Sequence, residues 1–450
     1  MFRSLLVTLF IVLSGNALVQ ISTNSPYSSR GIGDVGFYGN AYISGLGGAA
    51  TALADSSQTN LFNPSTYSLT AKQLPIFSLG VNHFEKKFSS NGQTSKGRYS
   101  SITHMSLVIP FANRLGIAAG IKPLSRSGYE INTSEMVAGD SIFYTYKGSG
   151  DIQEFLIGFS GNIIDRTKQS LSVGVNGKYY FGRISNERRS YKNSKSIQTG
   201  GMDEKSIRAR DFGVEFGLNY DYRPTLTHGF RFGGVYRPGK DLNFEKSHTR
   251  IYYPNYYTQS SYDTLLNVQG IRGNVYLPSK TSLGLTYTFT PQNDSLVNRS
   301  KLPSLMVTLE YSMEDWSNYE EKFAVGSSGG QYVNSNSLRM GIEFKPHREA
   351  VDRSAYIKVF DRLSYRLGAY TVNTPYEING VQLVNQGLTA GIGLPLVMNR
   401  AVSTVSISGS YGVMGNTNAS GVIKENYFGF NLGINIAPGY DRWFRKYKLD

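Results

Sequence analysis

Residues Phe212–Tyr222 read FGVEFGLNYDY, and this stretch gives the clearest indication of the fold class. Apolar and aromatic residues occupy every second position, and glycine, glutamate, asparagine and aspartate lie between them. Successive side chains of a β-strand point to opposite faces, so this alternation predicts a strand with one apolar and one polar face. The same pattern recurs in Leu171–Phe181, Leu283–Phe289 and Phe428–Ile436.

Further strands are indicated by segments that alternate less regularly. They begin near Ile76, Ser101, Leu115, Ile152, Phe230, Leu305, Leu338, Leu363, Leu388 and Val402. Connections after the even-numbered segments are mostly short, and long ones follow odd-numbered segments at Pro123–Gly150, Arg183–Arg210, Pro238–Pro278 and Ser312–Asn336. Outer-membrane barrels combine an even number of strands with short periplasmic turns and long extracellular loops. We therefore predict an all-β fold, a 14-stranded antiparallel transmembrane β-barrel over residues 76–437.

The composition agrees with a barrel and excludes several other classes. The 450 residues include 49 glycines, 32 tyrosines and 24 phenylalanines, whereas charged residues make up only 17%. This usage disfavours helical bundles and disordered chains, and the lack of cysteine excludes disulfides and thiolate metal sites. A soluble β-sandwich would also alternate, but fourteen strands would normally divide into domains. Aromatic residues near strand ends, such as Tyr179, Phe181 and Tyr220, instead suit the girdle of a membrane barrel.

The first seventeen residues have the parts of a secretory signal peptide. Arg3 supplies a positive charge, Leu5–Leu13 is a short apolar run, and Ala17 ends a small-residue cleavage site. No later apolar run is long enough for a membrane-spanning helix. We predict a signal peptide at 1–17, location in the outer membrane of a Gram-negative bacterium, and both termini in the periplasm. Residues 438–450, which are basic and aromatic, are predicted to form a periplasmic tail.

The segment before the barrel, residues 18–75, does not alternate. It contains the small-residue run Gly45–Asp55, followed eight positions later by Asn63-Pro64-Ser65. These motifs resemble the N-terminal hatch of FadL-type long-chain fatty-acid transporters. The resemblance implies that residues 18–75 form a hatch, or plug, inside a fourteen-stranded barrel. It assigns the hatch motif to Gly47, Gly48, Asp55, Asn63 and Pro64.

Two departures from the family pattern qualify this resemblance. Ser65 stands where the family usually has alanine. The tail after the last strand is similar to the branch that includes the shuttle barrel of type IX secretion. A fourteen-stranded barrel has a lumen wider than its own side chains fill, so a small-residue plug is physically reasonable. The alternative is that residues 18–75 form a periplasmic extension.

No motif in the sequence predicts catalysis or a cofactor. Gly31–Gly36 and Gly45–Ala50 match a dinucleotide-binding pattern, but neither lies in a βαβ unit, which that site requires. His83, His104 and the other histidines lack the spacing of a zinc site, and we predict that they are surface or turn residues. Nothing in the sequence places a particular serine beside a histidine. We therefore predict a protein that is not an enzyme, with no cofactor and no metal.

Two functions remain open from the sequence. The FadL-type resemblance implies passive uptake of hydrophobic small molecules, although the ligand-binding residues are unknown. The alternative is a plugged barrel that serves as a scaffold or membrane anchor for partner proteins in an outer-membrane secretion or assembly complex. The tyrosines within Pro238–Pro278, among them Tyr252, Tyr253, Tyr256, Tyr257 and Tyr262, suit a protein-contact surface, or a loop packed on itself.

The net charge of +14 predicts a lipid partner rather than a nucleic acid. The charge is scattered along an exported chain, so nucleic-acid binding is not expected. Cations predicted in loops, including Lys86, Lys87, Arg188 and Arg189, could pair with the phosphates of lipopolysaccharide in the outer membrane.

Overall fold

The computed structural model describes most of the chain. It covers residues 23–36, 39–70, 74–90, 92–111, 114–137, 140–193, 199–259, 261–291, 303–324, 326–329, 332–346, 359–398, 401–415 and 421–437. The predicted signal peptide at 1–17, the predicted tail at 438–450 and His347 lie outside these residues.

Strands dominate the described chain. They are β1 Ile76–Ser90, β2 Gln93–Phe111, β3 Leu115–Arg126, β4 Tyr129–Val137, β5 Asp140–Asp165, β6 Gln169–Asn193, β7 Gly200–Tyr222, β8 His228–Arg237, β9 Lys240–Tyr253, β10 Asp263–Leu277, β11 Lys280–Phe289, β12 Ser304–Glu314, β13 Glu320–Phe323, β14 Gly326–Gly329, β15 Ser335–Lys345, β16 Ser364–Ile378, β17 Val381–Met398, β18 Ala401–Met414 and β19 Lys424–Ile436. The helical elements are single turns: α1 Ala41–Ser44, α2 Val359–Arg362, and the 3₁₀ turns Pro26–Ser29, Pro64–Leu69 and Trp316–Asn318. No helix in the described ranges is long and apolar enough to cross a membrane.

The nineteen strands form a closed antiparallel barrel with fourteen strand positions around its wall, because some positions hold two strands end to end. We call each of these fourteen positions a stave. Three staves consist of two strands in succession: β3 and β4 both pair with β5, β8 and β9 both pair with β7, and β10 and β11 pair with β9 and β8. The hairpin β13–β14 is an addition to the wall. Pairing of β1 with β19, from Phe77↔Ile436 to Ser89↔Lys424, closes the barrel. The predicted fourteen-stranded fold is confirmed.

The two ends of the barrel differ in their connections. We call the end where β1 begins the turn end, because β2–β3, β5–β6 and β17–β18 are joined there by short turns. At the opposite end, the hairpin end, the strands continue as long hairpins. The predicted long loops Pro123–Gly150, Arg183–Arg210 and Pro238–Pro278 are wrong as loops, since most of their residues belong to β3–β7, β9 and β10. Apolar and polar residues are mixed along these strand extensions, so the alternation that reveals the other strands is weak there.

An apolar band surrounds the barrel nearer the turn end. On β7, Phe212, Val214, Phe216 and Leu218 are exposed, whereas the alternating Glu215 and Asn219 point inward and are buried. The lumen is therefore lined with polar groups, as a membrane barrel requires. On β5 the exposed aromatic and apolar positions begin only at Phe155, although the strand begins at Asp140.

Two separate sets of residues fill the lumen. At the hairpin end, Tyr27 and Ile32 pack with inward-facing residues such as Trp316, Tyr319 and Tyr376 in an apolar core. In the turn-end half, residues 39–70 lie against inward-facing strand residues, and α1 and the 3₁₀ turn Pro64–Leu69 are largely buried. The chain therefore enters the described region at the hairpin end and runs to the turn end before β1 begins.

Candidate functional site

The first part of the lumenal segment is a tight turn built on asparagine and glycine. Asn40 precedes α1, and its Oδ1 accepts a hydrogen bond from the Ile43 amide at 2.8 Å. The segment reverses at Gly47 and Gly48, whose φ angles are +69° and +85°, a region that residues with a Cβ rarely adopt. The Gly48 amide donates to the Ile43 carbonyl at 3.0 Å, which closes the turn.

A second reason for glycine at position 47 is that its backbone lies very close to the barrel wall. Its amide donates to Thr389 Oγ1 at 3.0 Å, and a Cβ here would lie 2.6 Å from the carbonyl oxygens of Ala369 and Met340. The turn thus lies directly on the backbone of the strands. The predicted motif residue Gly47 contacts the wall, whereas Gly48 contributes the backbone conformation.

Asn63 and Pro64 form the second contact with the wall. Asn63 is fully buried, and its Nδ2 donates to the Thr51 carbonyl at 2.7 Å and to the Leu218 carbonyl of β7 at 3.2 Å. Its Oδ1 accepts from the backbone amide of Ser65 at 3.1 Å, and Pro64 occupies the first position of the 3₁₀ turn, where no amide hydrogen is needed. Ser65 Oγ accepts a hydrogen bond from Asn219 at 2.9 Å. The serine that departs from the family pattern therefore adds a bond to the wall.

Glycines on the inner face of the wall make room for this segment, and the sequence analysis missed their role. A Cβ at any of them would lie within 2.7 Å of an atom of residues 46–67. We call these residues the glycine track: Gly116, Gly174, Gly217, Gly233, Gly284, Gly341 and Gly368. Six of them face one another across neighbouring strands, in the pairs Gly174↔Gly217, Gly233↔Gly284 and Gly341↔Gly368. Their recurrence at inward positions of successive strands is the sequence signal that could have revealed them.

Glu310 on β12 makes the densest polar contact with the segment. Its Oε2 accepts hydrogen bonds from the Ala50 amide at 2.7 Å and from the Thr51 amide and hydroxyl at 2.8 Å. Its Oε1 accepts from Arg339 at 2.9 Å, so the buried carboxylate is fully paired. Bonds to an ionised acceptor are stronger than neutral ones, which makes Glu310 a principal anchor.

Asp55, the remaining motif residue, lies near the turn end. Its carboxylate accepts from the Ser57 amide and hydroxyl at 2.8 and 2.7 Å and pairs with Lys345 at 2.8 Å. Burial alone would raise the pKa of Asp55, but the Lys345 ammonium and these hydrogen bonds outweigh burial and hold that pKa well below its usual range. Ionised Asp55 therefore stabilises the packed segment.

We expect Asp55→Asn to lower the free energy of unfolding by about 1–2 kcal/mol at pH 7, because the partly buried pair with Lys345 is lost while Lys345 keeps Glu343 at 3.3 Å. The pKa of Asp55 is depressed in the folded state. Its contribution is therefore present above the unfolded carboxyl pKa, about 3.9, and is lost as the pH falls through the lower folded value. Thermal unfolding of both proteins in detergent should show a difference that is constant from pH 7 to about 5 and shrinks below about pH 4. Asp165→Asn, at the exposed end of β5 where among the described residues the carboxylate pairs only with exposed Arg114 at 3.8 Å, is the control; a pH-independent difference would contradict this account.

A cavity of about 280 Å³ lies between the lumenal segment and the hairpin-end core. Its lining contains the cations Lys86, Lys122, Lys178, Arg237, Lys280 and Arg339, and the anions Asp34, Glu154, Glu215, Glu310, Glu314 and Glu425. Many are ion-paired, as in Lys86–Glu425 at 2.9 Å and Lys122–Glu154 at 2.6 Å. Lys86 therefore lies inside the barrel, which overturns its prediction as a loop cation facing lipopolysaccharide. The lining also contains apolar and aromatic residues such as Phe62, Phe84 and Trp316, so the cavity combines ion pairs with an apolar surface.

A second cavity, of about 290 Å³, lies in the wall where β8 ends and β9 begins. Here β7 pairs with β9 as far as Ala209 and with β8 only from Phe216. Its lining is mainly apolar and aromatic, with two cations at its border: Tyr180, Phe212, Gly213, Val214, Arg237, Pro238, Lys240, Leu242 and Leu277. Because Phe212 and Val214 are exposed on the outer face, this cavity adjoins the apolar band.

The structure corrects the prediction that the histidines are surface or turn residues. His104 is buried within the wall, and its Nε2 lies 2.8 Å from Ser78 Oγ while its Nδ1 lies 3.0 Å from Thr103 Oγ1. His83 similarly lies 2.8 Å from Ser100 Oγ. Serines thus lie beside histidines, which sequence spacing could not reveal because each pair spans two strands. No carboxylate orients His104 among the contacts of the described residues, so the pair lacks the third member of a hydrolytic triad.

No metal-binding group is present in the described ranges, in which no three His, Cys, Asp or Glu side chains are placed to hold an ion. The glycine pattern at Gly31–Gly36 also lies outside any βαβ unit. Its Asp34 forms an antiparallel bridge with Arg126 at the end of β3.

Known structures share this fold. The Pseudomonas putida toluene transporter TodX has a TM-score of 0.54 at 14% identity, with 91% of this chain and 100% of that chain covered. A Pseudomonas aeruginosa FadL homologue has 0.53 at 12% identity, with 88% and 97% covered, and the Ralstonia pickettii toluene transporter TbuX has 0.51 at 14% identity, with 88% and 98% covered. No curated protein sequence matches the chain.

These similarities concern the fold, which is that of the FadL-type outer-membrane barrels, and they confirm the resemblance found in the sequence. Two of these structures are described as toluene transporters, and none of the three is described as an enzyme. The family model described as BamG matches residues 1–450. The protein therefore belongs to the BamG family.

Proposed function

We propose that this protein is a plugged outer-membrane barrel that holds a partner protein at its hairpin end, outside the cell. The extension of the wall beyond the apolar band carries this proposal. β5, β6 and β7 contain 26, 25 and 23 residues, whereas a tilted strand crosses a bilayer with about 9–11. The part of β5 before Phe155 alone spans about 50 Å at ~3.3 Å per residue.

An aromatic cluster near the tips of this extension suits contact with a protein. Tyr191 of β6 stacks on Tyr256 with ring centroids 4.7 Å apart, and Tyr253 packs edge-on against Tyr256 and Tyr262. Some of these tyrosines therefore pack on one another, which agrees with the sequence-based alternative of a loop packed on itself. Tyr257 and Tyr262, however, remain 57% and 59% exposed. Exposed, partly immobilised tyrosines are typical of protein interfaces, because little conformational entropy is lost when they bind.

The plug in this proposal is the segment 18–75, with Gly47, Gly48, Asp55, Asn63 and Pro64 as its motif residues. Support comes from the bonds that join residues 47–65 to inward-facing groups of the wall, and from the glycine track that accommodates them.

We expect the double substitution of Tyr257 and Tyr262 by alanine to weaken partner binding at least about tenfold, since an interface tyrosine can contribute about 2 kcal/mol. The protein would be purified from its native membrane in mild detergent, and the bound polypeptides quantified by mass spectrometry. Tyr311→Ala, on the exposed face of β12, is a matched control that leaves the tip intact. Absence of a stoichiometric polypeptide from the wild-type sample would overturn the scaffold proposal.

Passive uptake of hydrophobic small molecules is the second candidate, and the wall cavity favours it. That cavity is apolar and adjoins the membrane-facing side of β7. Similar folds belong to proteins described as toluene transporters. Toluene uptake that requires the wild-type protein and persists in the tyrosine double variant would favour this candidate over the scaffold.

A further inference from the structure

At the hairpin end, β4 has an edge that is not paired with any other described strand. β4 pairs with β5 from Tyr129↔Gly148 to Val137↔Asp140 without a register shift. On its other side, no strand pairs with β4 within the described part of the chain. The neighbouring β2 pairs with β3 only over Met105–Phe111 and does not reach β4.

This edge lacks most of the features that usually block strand addition. Sheets protect their free edges with bulges, proline, charged side chains (lysine above all) or very short strands. The part of β10 beyond its pairing with β13 follows that rule, because its pairing with β9 shifts register at Thr264/Leu266 and again at Val268/Ile271. β4, with the sequence YEINTSEMV, has no bulge, proline or lysine, and its last six residues are all exposed, with Met136 at 73%.

The hairpin geometry identifies the backbone groups on the open side. In the same register as β4, the Ser127 amide donates to the Gly150 carbonyl of β5 at 2.8 Å, whereas the Gly128 carbonyl accepts from the Ser25 amide on the other side at 2.9 Å. Because bonding alternates along an antiparallel ladder, odd-numbered residues of β4 bond to β5. The amides and carbonyls of Glu130, Asn132, Ser134 and Met136 therefore point away from β5.

The charge of the edge indicates what kind of strand fits it. Glu130 and Glu135 are exposed, and neither forms an ion pair with another described residue. The strand itself carries no lysine or arginine. An incoming strand that placed basic side chains opposite these carboxylates would pair with them, whereas an acidic strand would be repelled.

We propose that the free edge of β4 is a docking site for an extended, basic segment of the partner protein, which adds to the sheet as a further strand. Strand addition of this kind takes its affinity from main-chain hydrogen bonds and its specificity from alternate side chains. The inference rests on the proposed scaffold function and specifies how the partner is held.

Ser134→Pro tests the docking edge, because proline removes an open-side donor and should leave the bonds to β5 in place. The probe is a fluorescent eight-residue peptide of alternating valine and lysine, titrated into the full-length protein in detergent. We expect Ser134→Pro to weaken its binding about tenfold or more, while Ser134→Ala binds as the wild type does. A peptide with glutamate in place of lysine should bind at least about tenfold more weakly.

Hydrogen exchange keeps the test decisive if Ser134→Pro does not fold. The peptide should slow exchange at the amides of Glu130, Asn132, Ser134 and Met136 in the wild-type protein. Absence of that protection, or equal binding to Ser134→Pro, overturns the docking edge. Either result overturns the docking edge even if native purification yields a partner protein. The proposed scaffold function would then stand without strand addition at β4. A wild-type dimer that Ser134→Pro abolishes in analytical ultracentrifugation would also overturn the docking edge, since the edge would then pair with a second copy.

Discussion

Gly233→Val is expected to open the barrel to ions, whereas Gly234→Val, one residue along β8, is expected to leave it closed. A Cβ at Gly233 would collide with the Thr51 carbonyl and lie 2.7 Å from the Ala52 Cα, so the lumenal segment would have to move. A Cβ at Gly234 meets nothing within 4 Å, because this residue faces outward. Overpacking against backbone costs about 3 kcal/mol, which lowers the ratio of packed to displaced segment roughly 100-fold.

The measurement is the conductance of single barrels in planar bilayers, together with the fraction of protein that resists unfolding in cold detergent. Gly233→Val should show either a conductance many times that of the wild type or a reduced folded fraction. Gly234→Val should differ from the wild type by less than about twofold in both measurements. Equal behaviour of the two variants would mean that residues 50–53 do not press on this strand, and the plug proposal would fail.

The substitution Glu310→Gln should produce the second largest effect. It removes the charge that accepts three hydrogen bonds from Ala50 and Thr51 and breaks the ion pair between Glu310 and Arg339. Breaking a buried ion pair from one side costs about 3–5 kcal/mol. We therefore expect the segment to detach from β12 and the conductance to rise several-fold.

Glu314→Gln is the matched control, because Glu314 lies on the same strand, faces the same cavity and pairs with Lys280 rather than with the segment. It should destabilise the barrel without raising conductance. Both variants would be examined for conductance and for hydrogen exchange at the Thr51 amide. If Glu314→Gln opens the barrel as far as Glu310→Gln does, the loss of charge in the cavity, and not the loss of an anchor, controls the opening.

The fourteen staves could be predicted from the sequence because one face of each is apolar where it meets lipid. FGVEFGLNYDY is the clearest case, and its alternate residues divide as expected into exposed Phe212 and Val214 and buried Glu215. The strand extensions cannot be recognised as strands in the sequence, because neither face meets lipid there and the apolar alternation is lost. In Tyr129–Val137, only Tyr129 is buried, so no period-two pattern appears.

The motif residues of the lumenal segment could be located, but their partners could not. Asn63 bonds to a carbonyl 155 positions away, and Glu310 bonds to amides about 260 positions away. Such contacts follow from the register of the closed barrel, which no local pattern reports. The role of the glycine track likewise depends on contacts across the barrel. In the sequence, each glycine looks like an ordinary small residue on the polar face of its own strand.

The last strand, β19, contacts the lumenal segment near both ends of the barrel. Near the hairpin end Glu425 accepts a hydrogen bond from Ser25, and near the turn end Asn435 donates one to Gln58. β19 also pairs with β1, the first strand of the wall. The seam therefore joins the earliest and the latest translated parts of the described chain along its whole length. From this arrangement we expect the wall to close around a segment already laid along its axis, with that segment as the template on which the final strand docks.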